Sequence, residues 1–321
     1  MTPKTPKTPK TPKTPKTPMA PMAQERTPDV VLTYRYLRGA MIALLLMLLL
    51  SVGYQWWWET GHSCWLGSLS AYYYTPARGV FVGALCALGA NLIAYKGHSP
   101  EEDVLLDFSG LMAFVVALVP TAPDDRCGPN AYTQTAPEIA AAVRNNVWSL
   151  LVVAVVSAAV VVCLGRVGRV GAPPRPRSVR SVVVSIGCGT AVLAELTLFL
   201  VLRDRFIALS HGIAAGTMVA GVIAVMVLSA LGAEERHLGR DGRRGTVYKK
   251  VYIALAVALA VALLVAVVTA AGLTGFGHLV LVAEVIVIVL FGTYWGVQTK
   301  ELWDLRDTSG PEARAAGPIA R

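Results

Sequence analysis

The chain has 321 residues, of which 55% are hydrophobic and only 15% charged, and its net charge is +9. Its mean hydropathy is +0.55, whereas a soluble domain carries about a quarter charged residues. This composition excludes a mostly disordered chain, a collagen-like repeat and a nucleic-acid binder built on a soluble basic domain, and it requires lipid as solvent.

The chain opens with Thr-Pro-Lys repeats that place Lys4, Lys7, Lys10, Lys13 and Lys16 at a spacing of three. Polyproline II has three residues per turn, so in that conformation the five ammonium groups share one edge. Beside a membrane such a stripe attracts anionic headgroups, each nearby charge contributing about 1 kcal/mol at low salt. Residues 1–38 read as a disordered basic cytoplasmic tail, with Met19 and Met22 as alternative starts.

A transmembrane helix needs about 20 apolar residues. Eight runs approach that length: Gly39 to Tyr54, Gly79 to Tyr95, Val104 to Thr121, Val147 to Leu164, Ser181 to Leu202, Phe206 to Leu231, Val251 to Leu273 and His278 to Gln298. Ser51-Val52-Gly53, near the end of the first run, also fits a small-residue cleavage site, so a signal peptide is an alternative there. Laid end to end, the runs divide the 29 basic residues into 24 and five, the minority being Arg78, Arg126, Arg144, Arg203 and Arg205. The positive-inside rule then puts both termini in the cytoplasm. The expected fold is all-α: a polytopic bundle of eight spans over residues 39–303, N-in and C-in, followed by a short cytoplasmic tail at 304–321.

Cys86, Cys163 and Cys188 fall inside runs, whereas Cys64 and Cys127 fall in outer stretches. An extracytoplasmic face would allow a Cys64–Cys127 disulfide; two free thiols are the alternative. Tyr54, Trp56, Trp57, Trp58, Trp65, Tyr72, Tyr73 and Tyr74 crowd the same side. They read as an aromatic belt that sets helix depth or as a stacking platform near Arg78. Thr135-Ala136-Pro137-Glu138 has the form of a capping box and predicts a short interfacial helix ahead of the fourth span.

Ionisable residues inside spans cost about 2.5–3.5 kcal/mol at the helix centre, so each needs a reason. Asn91 and Asp107 are expected to hydrogen-bond across a tight second-to-third hairpin. Glu195, His211 and Glu284, from three different spans, fall at one depth below the outer face. Converging, they would share a proton, bind a cation or act as general base on a lipid; apart, they fix helix packing. Gly212, Gly216 and Ala220 form a small-residue seam beside His211. Ser185, Cys188 and Glu195 share one face of the fifth span, and Glu284, Phe291 and Gln298 one face of the eighth.

No close-spaced metal-ligand motif, phosphate loop, Rossmann context or nucleophile elbow is present, so no metal or cofactor is expected. Three readings remain: first, a non-catalytic scaffold or sensor whose basic tails read anionic lipid; second, a proton-coupled secondary transporter using Glu195, His211 and Glu284; and third, a membrane enzyme acting on a lipid-linked substrate. The expected partners are the bilayer and anionic headgroups at its cytoplasmic face.

The stretch Ser68-Leu69-Ser70-Ala71-Tyr72-Tyr73-Tyr74-Thr75-Pro76-Ala77-Arg78, with Phe81-Val82-Gly83 following and Pro120-Thr121 closing the third span, resembles uncharacterised multi-pass membrane proteins of high-GC Gram-positive bacteria. An outer loop running into a Gly-bearing second span is also similar to DRAM-like membrane proteins, which typically have six spans. The first resemblance implies a bacterial plasma-membrane location and supplies no activity.

Overall fold

A computed structural model describes residues 28–61, 63–128, 132, 134–166, 178–238, 242–272 and 278–307. Lys4, Lys7, Lys10, Lys13 and Lys16 lie outside the described residues, as does most of the C-terminal tail. Eight α-helices account for nearly all the rest: α1 (Pro28–Tyr54), α2 (Arg78–Ala94), α3 (Pro100–Leu118), α4 (Ala136–Arg166), α5 (Val179–Val201), α6 (Arg203–Arg236), α7 (Gly242–Ala270) and α8 (Leu279–Asp307). Six of them, all but α2 and α3, are long and apolar enough to cross a membrane, which makes the protein a multi-pass membrane helix bundle.

Local sequence explains where the helices begin. Ser99 caps α3 by accepting the Glu102 N–H at 3.2 Å, Pro100 fills the first turn, and Glu101, Glu102 and Asp103 face the positive end of the helix dipole. The Glu102 and Asp103 carboxylates fold back onto the N–H groups of His98 and Gly97, each at 2.7 Å, which tightens the α2–α3 hairpin. At the head of α4, Thr135 N–H and Oγ1 both donate to Glu138 at 2.8 Å. The helix that begins there is not a separate interfacial piece. It runs unbroken to Arg166.

α6 is the central helix, packed on α3 and α7, with α2 on α3, α8 on α7 and α1 closing against α2 and α8. Small residues set the closest crossings. A Cβ built at Gly89 of α2 would lie 2.7 Å from the Gly110 carbonyl oxygen, and one at Gly110 would lie 2.6 Å from the Gly89 oxygen. On α6 the tight position is Gly221, which faces Ser109 of α3. The expected seam on α6 therefore does not form, because the space beside Gly212 and Gly216 is open. α4 and α5 stand apart from the rest, leaning chiefly on α3, with only 6% and 11% of their apolar windows buried.

The segment between α1 and α2 enters the bundle. Ser70–Tyr74 form a short 3-10 turn in which all five residues are buried. Gly67 C=O accepts the Leu281 N–H at 3.0 Å, joining the segment to the first turn of α8. The tyrosines at 72–74 are thus neither an aromatic belt nor an exposed stacking platform. Their hydroxyls find partners inside, Tyr73 accepting from Arg78 at 2.6 Å and Tyr74 donating to the Thr121 carbonyl at 2.8 Å. Burial pushes the Tyr74 hydroxyl up to about 12, so it keeps the proton it donates. Trp57 and Trp58 stay exposed, as a belt requires, while Trp56 stacks on Trp65 at 4.3 Å.

Candidate functional site

Two buried polar clusters sit at opposite ends of the bundle, and one face of α8 touches both. Glu284 lies near the first turn of α8, Phe291 two turns further on, and Gln298 and Glu301 near its end. Seventeen positions of helix separate Glu284 from Glu301, about 25 Å of rise.

The outer cluster is built on the inserted segment, here called the plug (residues 66–77). Glu284 Oε2 accepts the Leu69 N–H at 2.6 Å, and its Oε1 lies 3.3 Å from Ser70 Oγ. The same Ser70 hydroxyl lies 2.8 Å from His211 Nε2 on α6. His211 Nδ1 completes the chain at 2.7 Å from the Val119 carbonyl oxygen, just past the end of α3. Ser70 and His211 are each 8% exposed.

Proton bookkeeping follows from atom types alone. A carbonyl oxygen only accepts, so Nδ1 of His211 carries a hydrogen. With Nε2 bare, Ser70 donates to His211 and its own oxygen accepts from a protonated Glu284. With Nε2 protonated, His211 donates to Ser70, which donates to an ionised Glu284. Both forms make every bond and hold the same number of protons, so they differ only by a hop through the Ser70 hydroxyl. The geometry is that of a three-residue proton relay.

Glu195 is not in this relay. Its carboxylate accepts from Ser210 at 2.6 Å, and among the described residues it makes no hydrogen bond with Glu284 or His211. Ser210 precedes His211 on α6, and neighbouring residues on a helix point about 100° apart, which turns the two bonds away from each other. Glu195 is 7% exposed, and its Oε1 has no hydrogen-bond partner among the described residues. Asn91 and Asp107 do not bond across the hairpin either. Asp107 instead reaches Lys96 at 3.5 Å, close to the surface.

Above the relay, Cys64 and Cys127 form a disulfide with their Cα atoms 5.7 Å apart. Beside it Asp124 accepts the N–H groups of Gly67 at 2.7 Å and Arg126 at 3.1 Å. A side chain at position 67 would strike Arg126 and Asp124. The disulfide, two residues ahead of the plug, and the Gly67–Asp124 hydrogen bond together tie the plug to this loop.

Of the inner cluster, the sequence alone singles out Gln298, on the face of α8 that it shares with Glu284 and Phe291. Tyr95 Oη links Arg38, at 3.3 Å, to the Gln298 amide oxygen at 3.1 Å. Gln298 Nε2 donates to Tyr294 Oη at 3.1 Å, and Tyr294 meets Ser229 at 3.0 Å. Glu301, fully buried, receives Arg236 through both oxygens at 3.1 and 3.2 Å and the Tyr252 hydroxyl at 2.6 Å. His237 Nε2 stands 3.4 Å from the same carboxylate. Between the clusters lies a cavity of about 60 Å³ with a wholly apolar lining that includes Leu45, Leu88, Met218 and Phe291. Such a cavity stays dry, because a buried water needs polar partners.

Among the described residues no group of three His, Cys, Asp or Glu side chains is placed to hold a metal ion. Comparison with protein families, with curated proteins and with solved structures finds no match.

Proposed function

We propose that the protein is a proton-coupled secondary transporter of the bacterial plasma membrane, held in an occluded conformation. The observation that carries this reading is the shared Ser70 hydroxyl, bonded to both His211 and Glu284. Ionisable side chains in a membrane interior are costly, and two of them on one hydroxyl form a unit that exchanges a proton without losing a bond. A scaffold has no use for that balance. Acyl transfer is disfavoured, because a nucleophilic Ser70 would need room for a substrate and its oxygen is already engaged on two sides.

The protein is read here with eight spans and both ends in the cytoplasm. The lengths of α2 and α3, 17 and 19 residues, give about 26 and 28 Å of helix, close to the hydrocarbon thickness. The division of basic residues, 24 to five, and the disulfide at the end poor in basic residues support that orientation. Lys4, Lys7, Lys10, Lys13 and Lys16 would then lie against the anionic cytoplasmic leaflet.

In this mechanism the plug closes the outer end, the apolar middle blocks water, and the inner cluster closes the cytoplasmic end. Moving a proton off the relay removes one of the bonds holding Ser70, which loosens the plug from α6 and α8. The test is proton entry into proteoliposomes carrying full-length protein and an internal pH dye, after external acidification with the potential clamped. Glu284→Gln and His211→Ala should each slow entry about tenfold or more while the Cys64–Cys127 disulfide stays intact. Equal entry in the variants and the parent, or none above empty vesicles in the parent, overturns the reading.

A further inference from the structure

The five arginines at the disulfide-bearing end are not equivalent. Arg78 lies over the Tyr73 ring and bonds its hydroxyl, and Arg126 is held by Asp124. Arg144 and Arg203 are exposed and have no hydrogen-bond or ion-pair partner among the described residues. Both line one groove of about 350 Å³, where the head of α4 diverges from the α5–α6 corner.

The floor of that groove is aromatic. Phe199 at the end of α5 packs edge-on against Phe206 at the start of α6, ring centres 5.1 Å apart, and Trp148 of α4 meets Phe199 at 5.7 Å. Arg144 also stands at the head of a second groove that descends α4 past Trp148 and Val152. Arg144 thus lines both channels, and the surface of each is mainly apolar. Its depth is that of the headgroups, three residues before the apolar run beginning at Val147, and Arg203 sits at the break between α5 and α6.

We infer that this groove binds a diacyl phospholipid, with the phosphodiester on Arg144 and Arg203 and its two chains in the two channels. Charge complementarity supports that occupant. The groove carries two guanidinium groups and one carboxylate, Asp204, a net charge of +1 that matches a single phosphodiester. The planar forks of arginine pair with phosphate oxygens in a bidentate manner. Two channels that share one guanidinium match a glycerol backbone, which sends two chains from one head. A free phosphate would use the arginines but leave the aromatic floor without an occupant.

Native mass spectrometry of the full-length protein in detergent, offered dioleoylphosphatidylglycerol, tests this directly. The parent should retain one such lipid through a delipidation step that strips dioleoylglycerol, which has the same chains and no phosphate. The double variant R144Q/R203Q should lose retention by about tenfold or more. R205Q, altered outside the groove, should keep it. Undiminished retention in R144Q/R203Q overturns the proposal, and so does equal retention of dioleoylglycerol. Displacement by inorganic phosphate alone overturns it in favour of a soluble-anion site. Both arginines are exposed, so the double variant should melt as the parent does without added lipid, which checks that it folds.

Discussion

Ser70 Oγ lies 2.8 Å from His211 Nε2 and, among the described residues, is the one atom hydrogen-bonded to both His211 and Glu284. Removing that hydroxyl separates two buried polar groups without changing the volume of either. Ser70→Ala should lower stability by about 1–3 kcal/mol, the cost of leaving buried partners unpaired. It should also reduce proton entry as far as Glu284→Gln does. A melting curve in detergent beside the proteoliposome assay checks both. Loss of stability with full proton entry would make the chain a structural clamp.

Much of this arrangement was legible in the sequence, and the missing part has a physical cause. Each of the eight apolar runs has most of its length in one helix, although five overrun the helix end, because about 20 apolar residues in lipid leave the backbone no alternative to helix. Depth was legible for the same reason, since a helix converts sequence distance into height at 1.5 Å per residue. That placed His211 and Glu284 at one level but equally placed Glu195 there, because depth says nothing about rotation about the helix axis. Ser70 was hidden. A loop of Ser, Tyr and Thr beside tryptophans reads as interface, and only the fold shows that it turns inward. Glu301 was hidden too, because a carboxylate among basic residues near a helix end reads as a solvated charge, whereas here Arg236 and Tyr252 enclose it.

The α2–α3 crossing should be intolerant of a single methyl group. Gly89 and Gly110 each present a carbonyl oxygen to the other at a distance a Cβ cannot occupy. The clash is with backbone on both sides, so no rotamer change relieves it. Gly110→Ala should destabilise the bundle by about 1–3 kcal/mol through overpacking. Gly212→Ala, beside open space, should be neutral or slightly stabilising through helix propensity. Thermal melting of the two variants side by side decides it, and equal behaviour would refute the assigned crossing.

Glu301 is the hub of the inner cluster, and its truncation should be the most damaging single change. Glu301→Ala leaves Arg236 partly buried without its carboxylate and deprives Tyr252 of its acceptor. The expected loss is about 3–5 kcal/mol, the range for breaking a buried pair from one side. Removing both charges together, as in Glu301→Leu with Arg236→Leu, should recover a good part of that loss, since no charge is then stranded. A double-mutant cycle on thermal stability measures the coupling. Additive effects would mean that the two residues do not interact.

The Cys64–Cys127 disulfide closes a separation of 63 residues, for which chain-entropy arguments in water give about 4 kcal/mol. Here the expected contribution is smaller, about 1–2 kcal/mol, because the denatured state of a membrane bundle keeps its spans inserted. With α2 and α3 still in the membrane, the ends that the disulfide joins are already tethered, and little freedom is left to remove. The double variant Cys64→Ser with Cys127→Ser should therefore fold and insert with a modest fall in melting temperature. Its functional effect should be larger than its stability effect, since the bond ties the plug to the loop beside Asp124 and Arg126. A plug without that tie should release Ser70 more readily, and a cysteine placed at position 70 should react faster with an external thiol reagent. Unchanged reactivity in that background, with the protein folded, would show that the hydrogen bonds to Glu284 and Asp124 hold the plug alone.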